Sequence, residues 1–292
     1  PQDKLKAIKS WPFIYWISDE FREKFGSADL NSVLDIRQGM ASGNNNRFLR
    51  FWWEVNYNDI SQNIGDNKKW VKHVKGGPFQ KWFGNEWTLV AFDKENQALL
   101  ANSGNCLPSR QYYFREGITY SAVGSKGISF RYLPNNHIID TKGPGIYANK
   151  LTNILYALAM LNTKLVFYIC DCLDPTVSIN QGDLKRIPIA HPNELQESIT
   201  TSLSKQCVEI IKKVCAYSII EQNYISSPIG NKALPQEELT RYYNYENALL
   251  TQILLNEAII NRIVFDVYDL SEHDRQMVLD KEGIPVGDLS VS

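Results

Sequence analysis

Residues 36–48 combine the side chains that read DNA bases, and they stand between two apolar stretches. The segment reads Ile-Arg-Gln-Gly-Met-Ala-Ser-Gly-Asn-Asn-Asn-Arg-Phe. Asparagine and arginine can pair with two atoms of an adenine or guanine edge at once, and glycine allows left-handed backbone or a close approach to a ligand. None of these amides and guanidiniums is an expected nucleophile or general base. The segment predicts base recognition, although an ordinary Asn/Gly hairpin loop would have the same composition.

Lysines are concentrated in a second segment, next to the glycine pair at 76–77 and among aromatic residues. They are Lys68, Lys69, Lys72, Lys75 and Lys81. Lysines contact phosphates as point charges and position a protein on DNA without reading its sequence. The glycine pair would let the backbone approach a ligand closely. We predict phosphate contact here, with a solvated lysine-rich face as the alternative.

The predicted DNA-binding residues come from these two segments and from three further basic positions. Arg110 and Arg131 stand at predicted strand edges, where each could equally be a structural ion-pairing residue. The complete set is Arg37, Asn44, Asn45, Asn46, Arg47, Lys72, Lys75, Lys81, Arg110, Lys126 and Arg131.

The sequence predicts neither a catalytic site nor a metal site. The nearest match to an acidic nuclease cluster is Asp-Lys-Glu at 93–95, which lies in a polar, turn-like stretch. Five cysteines match no paired metal-binding spacing, and the four histidines are scattered. We therefore expect free, mostly buried thiols, as in a reducing cytoplasm.

Charge divides the chain into two parts of opposite sign. The 292 residues carry a net charge of −1. Residues 1–190 hold 23 Lys and Arg against 17 Asp and Glu, a net of +6, whereas residues 191–292 hold 8 against 15, a net of −7. The first part could face phosphates and the second would be repelled by them. We predict a β-rich domain at 1–190 and a helical domain with a carboxy-terminal tail at 191–292.

Short β-type runs separated by Gly/Asn/Pro loops fill residues 33–140, and period-two alternation is clear in the first of them. A short helix capped by Ser18 or Asp19 precedes the runs. Apolar residues at helical spacing follow from 151 to 172 and are expected to back the sheet; amide and ammonium groups among them argue against a membrane span. The predicted strands are 48–55, 70–74, 87–92, 118–123, 128–133 and 137–140.

Two long amphipathic helices are predicted in the last third of the chain. The first begins at Pro192 and Asn193, with Gln196 completing an amide version of the capping box. The second runs from about residue 236 to 268, after a Ser/Pro/Gly connector at 226–230. They should form an antiparallel hairpin. It could act as a spacer or docking surface, or simply cover its own domain. The predicted class is α+β: a mixed, mostly β module with long loops, backed by helices and followed by this hairpin.

Further motifs follow the first segment in a fixed order. They are Lys-Gly-Gly-Pro-Phe at 75–79 with Trp-Phe-Gly-Asn at 82–85, Tyr-Phe-Arg-Glu-Gly-Ile-Thr-Tyr at 113–120, Phe-Arg-Tyr-Leu-Pro at 130–134, Leu-Asn-Thr at 161–163, Asp-Pro-Thr at 174–176, Gln-Gly-Asp-Leu at 181–184 and Ile-Pro at 187–188. From residue 12 to 270 the series resembles the carboxy-terminal target-recognition region of TaqI-like N6-adenine DNA methyltransferases. This group includes type IIG restriction–modification enzymes and the methyltransferase of the BREX phage-defence system.

The resemblance implies a module that enters the major groove of double-stranded DNA, while an upstream domain of the same polypeptide flips an adenine and methylates it. Family members bind S-adenosylmethionine on a glycine-rich loop and hold the adenine with an Asn-Pro-Pro-Tyr/Phe motif. This chain contains no Asn-Pro-Pro run. We expect an excised specificity domain without its own cofactor, S-adenosylmethionine for the parent enzyme, which could also cleave DNA, and a bacterial cytoplasmic location without membrane contact. The alternative function is a protein-interaction module that docks other defence-system subunits.

Overall fold

A computed structural model describes residues 17–26, 28–63, 65–124, 126–149, 152–174, 179–230 and 234–289. The chain divides into two compact units. We call Pro1–Asp35, Ala148–Ile210 and Asn244–Ser292 the helical unit, and Ile36–Tyr147 and Ile211–Tyr243 the β unit. This division differs from the predicted boundary after residue 190, because each unit is assembled from separate stretches of the chain.

Eight strands occur in the described part of the chain. They are β1 (Leu34–Arg37), β2 (Leu49–Phe51), β3 (Trp70–Val74), β4 (Thr88–Ala91), β5 (Gly117–Tyr120), β6 (Phe130–Leu133), β7 (His137–Ile139) and β8 (Gly145–Ala148). They form two four-stranded sheets, in the orders β1-β8-β5-β6 and β2-β4-β3-β7. Strand β3 pairs in parallel with β7 and antiparallel with β4, and β2 pairs antiparallel with β4 at the edge of the second sheet.

The core of the β unit lies against the second sheet. Val71 and Val74 of β3, Val90 of β4 and Ile138 of β7 belong to one buried apolar cluster, which also includes Phe48. Strand β3 is buried along most of its length: Trp70, Val71, His73 and Val74 are buried, and only Lys72 is half-exposed.

Nine α-helices occur in the described residues. They are α1 (Asp19–Glu23), α2 (Asn45–Phe48), α3 (Lys94–Ala101), α4 (Ile154–Leu161), α5 (Lys164–Leu173), α6 (Gln181–Lys185), α7 (Glu194–Cys215), α8 (Pro235–Val267) and α9 (Glu272–Glu282). The predicted α+β class is confirmed.

Two predicted helix caps are present atom for atom. The Oγ of Ser18 accepts a hydrogen bond from the Phe21 backbone N–H at 2.9 Å at the start of α1. Before α7, the Asn193 N–H donates to Gln196 Oε1 at 3.0 Å, and the Gln196 N–H donates to Asn193 Oδ1 at 2.9 Å. These reciprocal bonds satisfy backbone donors that have no partner within the helix.

The two long helices are arranged as predicted. In the helical unit, the Nδ2 of Asn256 in α8 donates to Gln206 Oε1 in α7 at 3.4 Å. In the β unit, the ring of Tyr242 in α8 lies 5.2 Å from that of Tyr217, just beyond the end of α7. Higher residue numbers on one side thus meet lower numbers on the other, as an antiparallel hairpin requires.

Helix α8 is long and apolar enough to cross a membrane by length and composition, whereas α4 and α5 meet that criterion only together and are bent by 67°. Ile253, Ile260 and Val264 of α8 are buried inside the helical unit. Core helices of globular proteins satisfy the same criterion, so it is weak evidence for a span.

The first predicted strand, 48–55, is wrong over most of its length. Only Leu49–Phe51 is a strand, and Trp52–Glu54 forms a 3-10 helix. The Oε2 of Glu54 accepts a hydrogen bond from the Phe51 N–H at 2.7 Å, so a local turn replaces the sheet ladder. Strands β1 and β8 and helices α2, α3, α6 and α9 were not predicted.

Candidate nucleic-acid interface

The segment at 36–48 is held in place by close packing around its glycines. A Cβ on Gly39 would lie 2.0 Å from the backbone oxygen of Ile139, and a Cβ on Gly43 would lie 2.8 Å from the backbone nitrogen of Gly104. Between these points the Asn105 side chain donates to Gly39 O at 2.9 Å and accepts from the Ala41 N–H at 2.6 Å. The glycines here serve contacts within the protein.

The three asparagines form the start of α2, and not a hairpin loop. Asn44 is the N-cap, and its Oδ1 accepts a hydrogen bond from the Arg47 N–H at 3.1 Å. Asn45, Asn46 and Arg47 are exposed in the helix itself. The Arg47 guanidinium lies 5.3 Å from the centre of the Phe48 ring. Asn44 therefore has a structural role, whereas the next three side chains face solvent.

A groove of about 550 Å³ runs along α2 and the edge strand β2. It is lined by Asn45, Asn46, Leu49, Arg50, Phe51, Glu54, Lys75 and Thr88. Three predicted DNA-binding residues, from segments about thirty positions apart, thus meet at one surface. We call it the Asn/Arg groove.

Lys75 is oriented within the Asn/Arg groove by two neighbours. Its Nζ donates to Asn45 Oδ1 at 3.0 Å and lies 3.8 Å from Asp140 Oδ2. Burial acts to raise the pKa of Asp140, but a hydrogen bond and charge from His73, the Lys142 N–H and the Lys75 charge together hold this pKa below its ordinary value. Asp140 is therefore ionised at neutral pH and helps to hold the ammonium group in place.

Arg50 was not among the predicted DNA-binding residues, because it was considered only as part of the strand predicted at 48–55. Its Nη1 donates to the backbone oxygens of Asn46 and Leu49 at 2.7 and 2.6 Å, and its guanidinium lies 5.9 Å from the Trp70 ring centre. These contacts fix one side of the guanidinium inside the groove. The sequence signal that could have identified Arg50 is its spacing of four residues from Asn46.

The glycine pair at 76–77 was expected to let the backbone approach a ligand, but its surroundings give a different reason for glycine. Gly76 has φ +82°, and a Cβ there would lie 2.7 Å from the Lys142 oxygen. Gly77 has φ +146°, and its Cβ would lie 2.6 Å from Asn85 Nδ2. The pair is required by packing inside the β unit, so it gives no support to a close backbone approach to a ligand.

The remaining basic candidates do not line the Asn/Arg groove. Arg37 ends β1 with its guanidinium 4.9 Å from the Tyr112 ring centre. Lys72 and Lys81 are half-buried, and Lys126 is exposed. Arg110 is exposed and donates to Gln97 Oε1.

Arg131 occupies the interior of the protein. It is 0% exposed, and it donates to Gln80 O at 3.4 Å and to Ser121 Oγ at 3.2 Å. Burial lowers its pKa to about 10, while the Glu221 charge acts to raise it. DNA cannot reach a side chain without exposed surface. The buried position of Arg131 therefore fits the alternative prediction for this residue, a structural role.

A buried acid next to a histidine, Glu86 beside His137, was also not among the predicted site residues. Burial raises the pKa of Glu86 to about 7, with the Glu221 charge adding to the rise and Lys72 and Lys212 opposing it. Its Oε1 lies 3.3 Å from His137 Nε2. Burial lowers the pKa of His137 well below its ordinary value, with the Lys72 charge acting in the same direction.

The acidic stretch at 93–95 begins α3. Asp93 is the N-cap, and its Oδ1 accepts from the Asn96 N–H at 2.9 Å. The five cysteines are free, and all but Cys106 are buried.

No protein-family model matches the chain. It is 28% identical over an alignment of 309 residues to the adenine-specific methyltransferase PglX of Lacticaseibacillus casei (strain Zhang), and 28% identical over 271 residues to the adenine-specific methyltransferase BrxX of Escherichia coli O9:H4 (strain HS). The relatives are adenine-specific methyltransferases. The matches cover 97% and 91% of this chain but 26% and 22% of the relatives, so the chain spans about a quarter of their length.

The fold is similar to part of the type IIL restriction–modification enzyme MmeI, whose structure was solved in complex with DNA. The TM-score is 0.51 at 13% identity, over 85% of this chain and 35% of MmeI. At this identity the similarity concerns the fold alone. Together with the relatives, it confirms the resemblance to adenine methyltransferases and restriction–modification enzymes that the motifs predicted.

Proposed function

We propose that this chain is the DNA target-recognition region of an adenine-specific DNA methyltransferase of a phage-defence or restriction–modification system. The parent would act on adenine N6 in the cytoplasm, using S-adenosylmethionine bound by a domain outside this chain. Supporting the proposal, its relatives are named adenine-specific methyltransferases and are about four times longer. The observation that carries it is the Asn/Arg groove, which joins base-reading and phosphate-binding side chains.

The charge of the β unit supports this assignment. Its residues hold 18 Lys and Arg against 11 Asp and Glu, a net of +7, whereas the helical unit holds 13 against 21, a net of −8. A positive surface attracts phosphates over a Debye length of about 8 Å at physiological salt. The unit that contains the groove therefore has the sign that DNA binding requires.

Within the groove the side chains divide by chemistry. Lys75 is a point charge suited to a phosphate, and Arg50 can bond guanine O6 and N7 together. The Oδ1 of Asn45 already accepts bonds from Ser42 and Lys75, so its amino group is the end offered to a base acceptor such as purine N7. Phosphate contact would position the module, and Arg50 with the asparagines would read the sequence.

Lys75→Ala provides the test of this function. We expect weaker binding to all duplexes, and a plot of log K against log salt that is less steep by about 1 for the lost phosphate contact. Lys205→Ala, at an exposed lysine of α7 in the acidic helical unit, is the matched control. Equal salt slopes for wild type and Lys75→Ala would remove the lysine from the interface, and no binding of wild type to duplex DNA would contradict the function.

A second function, docking of other defence-system subunits, is favoured by one observation. The connector between α7 and α8 exposes five large aliphatic side chains: Ile219, Ile220, Ile225, Ile229 and Leu234. Clusters of exposed apolar side chains in one segment are typical of protein-binding sites. A stable complex with such a subunit in the absence of DNA, lost in Ile225→Ser, would support this function.

A further inference from the structure

Two exposed aromatic side chains form a stacked pair at the Asn/Arg groove. The rings of Phe51 and Trp53 are 4.7 Å apart at an interplanar angle of 8°. Their side chains are 43% and 46% exposed. Phe51 is also a groove-lining residue. The pair is therefore continuous with the surface that carries Arg50 and Lys75.

The backbone beneath the pair is fixed by hydrogen bonds. The Phe51 N–H donates to Glu54 Oε2 at 2.7 Å, which closes the 3-10 turn. Trp52 stands between the two residues in sequence. Its backbone N–H donates to Trp87 O at 3.0 Å, and its indole Nε1 donates to Ile220 O at 2.9 Å. A ligand that stacks here would find the platform already formed and would lose little free energy to ordering it.

A third aromatic ring supports the pair from the side. The Trp52 ring lies 5.9 Å from the Trp53 ring at 84°, an edge-to-face contact. Trp52 lies beside the small buried cluster of Ile60, Trp70, Leu89 and Ala91. Trp52 thus connects this core to the exposed pair.

We propose that Phe51 and Trp53 form a stacking platform for a DNA base that has left its own stack, either extrahelical or at an opened step. Stacked, exposed rings offer a flat apolar face of the size of a nucleobase. Arg50 and Lys75 border the same groove. The ammonium of Lys75 complements a phosphate beside such a base, and the guanidinium of Arg50 can bond to a neighbouring base edge. This inference rests on the proposed DNA function and adds a ligand class to it.

The platform should bind DNA with an unpaired base more tightly than fully paired DNA. The cations of the groove should not distinguish the two. A fully paired duplex keeps its base faces covered by neighbouring base pairs, whereas a single-base bulge offers one. Stacking of one base on an aromatic side chain changes affinity by about 10-fold or more. Lys75 contributes about equally to both duplexes, since the bulged duplex has only one additional phosphate.

The experiment compares two duplexes that differ only in a bulged 2-aminopurine, whose fluorescence falls when it stacks. We expect wild type to bind the bulged duplex about 10-fold more tightly and to quench the probe. Phe51→Ala and Trp53→Ala should abolish both effects, and Trp53→Phe should keep them. Tyr243→Ala, at an exposed aromatic residue of α8, is the matched control and should behave as wild type.

The outcomes separate this inference from the proposed function. Salt-dependent binding to both duplexes, without preference or quenching, would overturn the platform and leave DNA recognition standing. No binding to either duplex would overturn both. If Trp53→Ala fails to fold by circular dichroism, the decision falls to wild type and Trp53→Phe: quenching by both supports the platform, and its absence in either rejects it.

Discussion

The β unit and the helical unit differ in charge, in burial and in how directly sequence determines their structure. The β unit carries +7 and exposes a groove and an aromatic pair, whereas the helical unit carries −8 and buries α4 from Tyr156 to Leu161. The difference teaches that both units have a buried core, whereas only the β unit has the net charge that attracts DNA phosphates. Substitutions in the helical unit should therefore affect unfolding, whereas substitutions in the β unit can affect unfolding or DNA binding, depending on whether the residue is buried or lines the groove.

The largest effect is expected in the helical unit. Leu158 in α4 is fully buried, so Leu158→Ala should lower the free energy of unfolding by about 2–5 kcal/mol through lost apolar contact and a residual cavity. Chemical denaturation measures this cost. Leu195→Ala, at a leucine of α7 that is 70% exposed, should cost much less. Equal costs for the two variants would contradict the burial of α4.

The next effect depends on pH and belongs to the β unit. Because burial raises the pKa of Glu86 from 4.5 to about 7, the folded state keeps a proton that the unfolded state releases in this range. Glu86 therefore makes the protein less stable as pH rises from about 4.5 to 7, by up to about 3 kcal/mol.

Glu86→Gln removes that titration and tests the pH dependence directly. The free energy of unfolding of the variant, minus that of wild type, should rise between pH 5 and pH 8. Glu95→Gln, at an exposed glutamate of α3, should show no comparable change. A difference that falls or stays flat would mean that Glu86 is ionised in the folded protein at pH 5.

A smaller effect distinguishes backbone packing at Gly39 from the close approach of a ligand to this glycine. A Cβ on Gly39 would overlap the Ile139 backbone oxygen, so Gly39→Ala should cost about 1–3 kcal/mol of stability even without DNA. Gly26→Ala meets nothing within 4 Å and is the control. Thermal unfolding measures both. Loss of DNA binding by Gly39→Ala at unchanged stability would assign the glycine to ligand contact instead.

The helical unit was the more predictable from sequence because its signals are local. Helical periodicity and the Asn193–Gln196 capping box act over a few residues, so α4, α5, α7 and α8 could be located directly. Strand β8 could not, since its Gly-Pro-Gly beginning resembles a loop and its pairing partners lie far away in sequence.

The candidate site was predictable in residue type but not in geometry. Asn45, Asn46 and Lys75 were among the predicted residues and line one groove, but their meeting there depends on tertiary contacts, as does the burial of Arg131. The capping role of Asn44 is a local contact with Arg47 that the prediction of a loop did not include. Arg50 and the stacked pair were hidden because alternation in 48–55 favoured a longer strand, whereas the Glu54 side chain closes a turn.

Selection of bound duplexes from a randomised DNA library is the most direct test of recognition by the Asn/Arg groove. Wild type should enrich one sequence motif. Arg50→Ala should lose about 1–3 kcal/mol of discrimination at one base pair of it, and Lys75→Ala should keep the motif while binding every sequence more weakly. No enriched motif for wild type, or the same motif with the same preferences for Arg50→Ala, would contradict base reading by this groove.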